Sequence, residues 1–468
     1  NLKILTCEKN ILGNKKIPGN IYEIQNFLIN NCQKCDYAVI SLDTLLYGGL
    51  LPSRLHHDRI DLLQQRFSIL QKIKKCNPSI KIFTFQCIMR CPQYNSSEEE
   101  PDYYEQYGLS IFRQKYLLDK KERDSLSIQE EEELQSIHIP EDILQDYVTR
   151  RKINLEMNKA ALRYLQEDTI DFHVIPQDDS SPFGYTAIDQ KCITIEIQKM
   201  HLQQKTMLYP GADEVGQSLI TRAYNAYYKK CPKIYAYYAS ILGPTIIPKY
   251  EDRPMFESLK SHIRVTGAIL TRSANNADIF LAINSPGKFM QESFEKNKDI
   301  SYSSFRELQS FVDMIKEDCA VGRKVILADC AYANGGDLDF IHALDAYDLL
   351  DKIYAYGGWN THCNTLGTVL SIGQIATHVP LHTIIYRIIE DCFYQADIRQ
   401  RILEKDLPEL GLSYYDFKDK ENIVANRISK ALLQSYDTLQ LSKSYPISSI
   451  EVTMPWHRMF EIGLQIHD

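Results

Sequence analysis

Phe172-His173-Val174-Ile175-Pro176-Gln177-Asp178-Asp179-Ser180-Ser181-Pro182 is the stretch from which the fold is read. Its first half is an apolar run with β-branched and aromatic residues, and a turn of Asp, Ser and Pro closes it. Before it lies Glu141 to Glu167, with apolar residues at three- and four-residue spacing, which predicts a long helix. The same alternation extends outward in both directions. Strands are predicted at Leu2 to Thr6, Tyr37 to Leu42, Lys81 to Gln86, Phe172 to Pro176, Lys205 to Tyr209, Lys233 to Tyr238, Asp278 to Ile283, Lys324 to Ala328 and Lys352 to Tyr356. Helices are predicted at Asp61 to Lys75, Glu214 to Tyr228 and Ser304 to Cys319. Strand and helix in turn predict an α/β fold with a mainly parallel sheet, either (β/α)-barrel-like or doubly wound. This body is expected over 1–363, with 93–140 as a peripheral excursion, read as solvated surface with a lid as the alternative, and 251–300 as an insertion. Over 364–468 strands become scarce, which predicts a helical C-terminal region.

Composition narrows the function classes. The 468 residues carry 53 Lys plus Arg against 61 Asp plus Glu, a net charge of −8, with 44% hydrophobic residues. That is the profile of a globular chain with a large core, not of a disordered or fibrous one. An acidic balance without a basic stripe speaks against nucleic acid as a partner. No run reaches the ~18 apolar residues of a membrane span, so no membrane partner is expected. The 12 cysteines lack the dense spacing of a disulfide scaffold, which predicts reduced thiols and a cytoplasmic protein. Cys32-x-x-Cys35 has no second pair at zinc-ribbon distance. The 30 tyrosines accompany abundant Lys, Ile and Asn, as an AT-rich coding sequence gives, and mark no site.

In parallel α/β folds ligands bind beyond the carboxyl ends of the strands. Reading on from those ends gives Asp43 to Leu50, Met89-Arg90-Cys91-Pro92, Gln177 to Gly184, Tyr209 to Glu214, Asp329 to Asp337 and Gly357 to Asn364. Polar ends, most of them bearing glycine, recur six times, which predicts a polar cleft. Asp178-Asp179 is its sharpest feature. Strand alternation starts the two carboxylates on opposite faces, so they converge only if the strand stops there and the following turn swings one over the rim. A converged pair would repel, leaving one carboxyl protonated and the other ionised near neutrality, an acid and a charge stabiliser. That division of labour is what glycosidic cleavage requires. The competing structural use makes Asp179 a turn cap and Asp178 a salt-bridge partner.

The expected catalytic residues are therefore Asp178 and Asp179. Asp43, Tyr47, Arg54, Arg90, Gln177, Asp213, Glu214, Asp329, Asn334, Asp337, Trp359, Asn360 and Asn364 are expected to bind the substrate. The substrate is expected to be a small or terminal carbohydrate, N-acetylated sugars included. Trp359 offers an indole face for stacking on a sugar ring, and Asp213-Glu214 could equally cap the helix that follows. No G-x-G-x-x-G, Walker loop or G-x-S-x-G elbow occurs, and no cofactor is expected. Two rivals stand beside the glycoside hydrolase. One is a metal-dependent hydrolase that gathers Asp43, His56 or His57, Asp178 and Asp213 on a cation. The other is a sugar- or metabolite-binding protein without chemistry.

Several of these strand ends also carry a resemblance. Ser41-Leu42-Asp43-Thr44-Leu45-Leu46-Tyr47-Gly48-Gly49-Leu50-Leu51-Pro52-Ser53-Arg54, Pro176 to Ser180, Tyr209 to Glu214, Ala333 to Asp337, Gly358 to Thr361 with Asn364 to Gly367, and Pro455-Trp456-His457-Arg458-Met459-Phe460 are similar to motifs of a large bacterial family of domains of unknown function. The resemblance spans nearly the whole chain and implies no reaction. Members of that family begin with a further strand ending in a Leu-Asp-Glu-Arg-Pro-like segment, and the resemblance implies that this chain starts after it. More distantly, an Asp-Asp pair after a central strand with an aromatic-Asn segment after a late one is similar to barrel glycosidases that remove N-acetylhexosamines by substrate assistance. Carried over, that analogy makes Asp178 the residue orienting the acetamido group and Asp179 the general acid, with Asn360 or Asn364 on sugar hydroxyls.

Overall fold

A computed structural model describes residues 2–467. The chain forms two compact units, Asn1–Leu219 with Tyr250–Asp252, and Ile220–Lys249 with Arg253–Asp468.

In the first unit β1 (Tyr37–Ser41), β2 (Lys81–Phe85), β3 (Phe172–Gln177) and β4 (Thr206–Pro210) form a parallel sheet in sequential order. Each strand is laid down beside its predecessor, and the right-handed crossovers usual for parallel strands would carry connecting helices to one face. The core agrees. Ala38, Ile40, Ile82 and Ile175 lie on one side of the sheet, buried with Ile24, Leu63, Phe67, Leu70, Met157, Leu162 and Ile193. Those partners come from helices Ile21–Cys32, Ile60–Phe67, Ile69–Cys76, Glu141–Gln166 and Tyr185–Lys199. On the same side Thr84 Oγ1 lies 2.8 Å from His173 Nδ1, and burial drives that imidazole down to about 3, so it stays neutral.

The second unit holds β5 (Lys233–Tyr238), β6 (Ile269–Leu270), β7 (Ile279–Asn284), β8 (Gln291–Glu292), β9 (Val325–Asp329), β10 (Tyr332–Ala333), β11 (Ala355–Gly357), β12 (Ser449–Thr453) and β13 (Gly463–His467). Its main sheet is parallel in the order β11-β9-β7-β5-β6. The chain steps one way from β5 to β6 and the other way to β7, which is double winding. Helices accordingly cover both faces. Ile234, Leu281 and Ile326 pack against Leu259, Leu366 and Leu370 on one side, while Phe280, Leu327 and Tyr356 meet Phe311, Phe340 and Ile389 on the other.

The α/β expectation thus holds, and its two variants separate. The first unit has the sequential winding that a barrel uses, stopped at four strands, and the second is doubly wound. The compact units divide at Leu219, not at residue 363. Segment 251–300 contains β6 and β7, with β7 in the middle of its sheet, so it is no insertion. Segment 93–140 forms helices Tyr104–Arg123 and Ile128–Ser136, and Tyr104 is buried against Met89, Cys91 and Tyr147. Beyond residue 364 the helices belong to the core of the second sheet, and the antiparallel pair β12–β13 joins them. Among the described residues Leu2 to Thr6 pairs with no strand, and Leu2, Ile4 and Leu5 are exposed. The predicted helix Asp61 to Lys75 is broken at Ser68, whose hydroxyl donates to the Gln65 carbonyl at 2.7 Å.

Phe67 stacks on Tyr164 with ring centroids 4.3 Å apart and is fully buried. Phe67→Ala is expected to remove roughly 3–5 kcal/mol of stability, read as a lowered urea midpoint with an unchanged slope.

Candidate functional site

Parallel pairing brings the carboxyl ends of β1, β2, β3 and β4 to one edge of the first sheet. β1 runs straight into the helix Leu42–Tyr47, because Ser41 Oγ caps it by accepting from Thr44 N at 3.2 Å. This places Asp43 in the first turn, where its carboxylate accepts the Cys87 N–H at 3.0 Å. Gly48, at φ +86°, ends the helix in a left-handed conformation, and a Cβ there would lie 2.7 Å from Gly19 N. The chain then turns through Leu50–Ser53 and delivers Arg54.

Arg54 and Arg90 are both buried, and carboxylates surround them. Arg54 Nη2 donates to Asp178 Oδ2 at 2.9 Å, and its Nη1 donates to Glu99 and Glu100 at 3.3 Å each. Arg90 donates from Nε to Glu100 Oε1 at 2.7 Å and from Nη2 to Glu99 Oε2 at 2.8 Å and the Tyr94 hydroxyl at 2.7 Å. Its Nη1 lies 3.3 Å from both Asp178 Oδ2 and Asp179 Oδ2. Burial works against both cations, but Glu100 and Asp178 hold them protonated.

The two aspartates converge as the turn geometry required. β3 stops at Gln177, and Asp179 adopts φ +49°, a left-handed conformation that brings its carboxylate back over the rim. Both side chains remain a quarter exposed. Withdrawal from water and the charge of Asp178 push Asp179 up to about 6, with Arg90 and Arg54 opposing. Burial likewise pushes Asp43 up to about 7, against the Cys87 N–H and Arg54. Asp213 stands exposed at the end of β4, within electrostatic reach of Asp178, Glu99 and Arg54.

Other residues expected here make contacts within the first unit. Tyr47 is buried in the core with its ring 4.5 Å from that of His56. Glu214 folds back to accept the Ala212 N–H at 3.0 Å. Gln177 is buried, and its carbonyl accepts from Gly211 N. His56 has both ring nitrogens engaged, Nε2 with Asn154 Oδ1 at 2.7 Å and Nδ1 with the Asp58 N–H, while His57 lies 3.6 Å from Asp146. The metal set expected from Asp43, Asp178 and Asp213 with one of these histidines therefore does not assemble among the described residues. Glu99 and Glu100, by contrast, fall in the excursion expected on a solvated surface and prove central to the rim. Their one sequence signal is that they follow the end of β2, as Arg90 does.

Asp329, Asn334, Asp337, Trp359, Asn360 and Asn364 lie in the second unit, where Asp329 and Asp337 share a hydrogen-bond network. Asp329 accepts from Asn284 Nδ2 at 2.9 Å, Asp337 N at 2.7 Å and the Tyr356 hydroxyl at 2.9 Å. Asp337 takes Arg306 Nη1 at 2.6 Å and also accepts from Asn284 and the Asp339 N–H. Burial and the Asp337 charge push Asp329 up to about 7. The loop between them approaches so closely that a Cβ on Gly336 would stand 2.4 Å from the Tyr356 hydroxyl. Asn334 donates to Glu292 Oε2 at 2.9 Å and its N–H to the Asn360 carbonyl at 2.8 Å. Half-buried Trp359 meets Phe460 edge-on at 6.5 Å. Buried Asn364 sits in the first turn of a helix that Thr361 caps.

Fold and rim define an α/β protein of two parallel-sheet units, the first carrying a carboxylate pair clamped by two buried arginines. The chain belongs to the family DUF4127, a protein of unknown function, whose model matches residues 1–465. No curated protein and no solved structure matches it. Among the described residues no helix is long and apolar enough to cross a membrane, and all 12 cysteines are free thiols.

The raised carboxyl of Asp43 makes a pH prediction with a definite sign. Its folded value of about 7 exceeds the unfolded value of ~3.9, so the folded state holds this proton more tightly. Its contribution to stability is complete below about pH 4 and is lost as pH rises through about 7. Relative to wild type, Asp43→Asn should show a shallower fall of Tm across that window in differential scanning calorimetry.

Proposed function

We propose that the protein is a glycoside hydrolase whose chemistry is carried by Asp178 and Asp179 of the first unit. The observation that supports this reading is their unequal sharing of the two guanidiniums. Asp178 Oδ2 accepts from both Arg54 and Arg90, whereas Asp179 Oδ2 accepts from Arg90 alone among the described residues, at 3.3 Å. Asp178 is thus the better-stabilised anion. Asp179, pushed up to about 6, is the proton donor to the glycosidic oxygen.

The spacing bears on the stereochemistry. Both carboxylate oxygens lie 3.3 Å from one nitrogen, so they stand no farther apart than twice that distance. This bound admits the short separation of retaining enzymes, ~5–5.5 Å, and leaves out nearly all of the ~6.5–9.5 Å that makes room for an inverting water. Asp178 then acts either as the nucleophile at the anomeric carbon or, in substrate assistance, as the residue that orients an acetamido group. Both routes retain configuration. Charge bears on the substrate. Asp43, Glu99, Glu100, Asp178, Asp179 and Asp213 share Arg54 and Arg90, so the rim is net acidic and disfavours sialosides and uronides relative to neutral or amine-bearing sugars.

A screen of aryl glycosides tests this reading. Turnover is expected on neutral hexosides or hexosaminides, with retained configuration by proton NMR of the first-formed product, and none is expected on sialosides or uronides. Asp179→Asn should lose roughly 10²- to 10⁴-fold in kcat on a substrate with a poor leaving group. Wild-type kcat/KM should fall as pH rises through about 6, because the acid must be protonated. Full activity of Asp179→Asn would refute the assignment.

A further inference from the structure

Glu100 touches neither aspartate, yet it touches everything that holds them. Its side chain is wholly buried. One oxygen, Oε1, accepts from Arg90 Nε at 2.7 Å and from Arg54 Nη1 at 3.3 Å, while Oε2 is buried without a partner. The two arginines arrive from segments after different strands, and this single oxygen is a point where both meet. Of the two aspartates, Arg54 reaches Asp178 and Arg90 reaches both Asp178 and Asp179. The groups facing Asp179 are Asp178 beside it, Arg90 and Tyr94 from the segment after β2, Arg54 from the segment after β1, and Glu100 itself. Glu99 is bound to both guanidiniums as well, but with its side chain partly exposed.

We infer that Glu100 is a positioning residue of this site, which draws both guanidiniums onto one buried oxygen and so leaves Asp178 the better-paired anion and Asp179 the proton carrier. The inference takes its chemical meaning from the glycosidase reading and its physical content from the ion-pair geometry alone. Two effects of the Glu100 charge act in the same direction at Asp179. Directly, it is a like charge that disfavours ionisation of the aspartate. Indirectly, it neutralises positive charge that Arg54 and Arg90 would otherwise present to it. A side chain that merely filled space would do neither.

Isotope-edited infrared difference titration of the aspartate carboxyls in the full chain, with Asp179→Asn supplying the assignment, reads the Asp179 midpoint without any substrate. In Glu100→Gln the midpoint should fall below the parent value of about 6 by on the order of one pH unit. In Arg54→Gln, where a cation is removed, it should rise. Glu100→Asp keeps the charge and should titrate near the parent value. Simple loosening of the cluster would admit water and lower the midpoint in all three variants, so a fall in Arg54→Gln overturns the proposal, as does an unmoved midpoint in Glu100→Gln. If Glu100→Gln does not fold, the double variant Arg54→Gln/Glu100→Gln, which removes one cation together with its buried anion, is compared with Arg54→Gln: its midpoint should lie lower, and equal midpoints overturn the proposal. The two readings fail separately. Midpoints that move as stated in a protein that cleaves no glycoside leave Glu100 in place and remove the glycosidase. Cleavage whose high-pH limb of kcat/KM coincides in Glu100→Gln and wild type does the reverse.

Discussion

Two guanidiniums taken out of water at one edge of a four-stranded sheet are the constraint on which the rest of the first unit depends. A buried cation is tolerable only when carboxylates and hydrogen bonds replace its hydration, and removing one partner of such a pair typically costs about 3–5 kcal/mol. Arg90 meets that demand by using every nitrogen of its side chain. Its carbonyl is held too, by the Tyr147 hydroxyl of the helix Glu141–Gln166 at 3.0 Å. The loop after β2 is therefore pinned at both the backbone and the side chain. The aspartates at the end of β3 meet over a fixed charge, not in free solvent.

Acidic and glycine-bearing strand ends look alike in sequence and differ in state. In the second unit Asp329 and Asp337 have both oxygens occupied by protein donors, among them Asn284, Arg306 and Tyr356. Such a closed network stiffens the loop it joins and leaves those carboxylates little capacity for a ligand. At the first rim Asp178 and Asp179 share one nitrogen at 3.3 Å and are a quarter exposed. The difference is one of satisfied valence, and it separates a closed hydrogen-bonded network from a partly exposed carboxylate pair.

How much of the fold and of the rim is legible in the amino-acid sequence depends on the range of the interactions involved. Strand and helix alternate within short windows, so eight of the nine predicted strands are readable, β3 among them. The exception, Leu2 to Thr6, has the composition of a strand without a pairing partner, and partners are not encoded locally. Strand order is long-range in the same sense. Nothing in Lys233 to Tyr238 announces that it starts a second sheet with winding in both directions. The convergence of Asp178 and Asp179 can be stated from sequence as a condition, that the strand end beside them, and φ +49° at Asp179 is how the chain satisfies it. Glu99 and Glu100 escape such a reading because an acidic run beside serines resembles a solvated surface, and only the arginines that bury it give it another meaning.

The sheet order also accounts for why these arginines and not others meet. With β2 between β1 and β3, the segment that follows β2 lies over its own strand end and can reach sideways to both neighbours. Arg90, five residues past the end of β2, bonds to Asp178 and Asp179 on one side. The segment after β1 has a strand to cross before it reaches β3, and it crosses by inserting a short helix and a left-handed Gly48, so that Arg54 arrives from farther along the chain. Both then depend on carboxylates carried by the long connection between β2 and β3. That connection has the length to fold back over the rim, and Glu99 and Glu100 each contact both guanidiniums, Glu100 with its side chain wholly buried. Sequential winding thus converts three separate strand ends into one electrostatic unit, and the unequal pairing of the two aspartates with its arginines is a property of that unit, not of either residue.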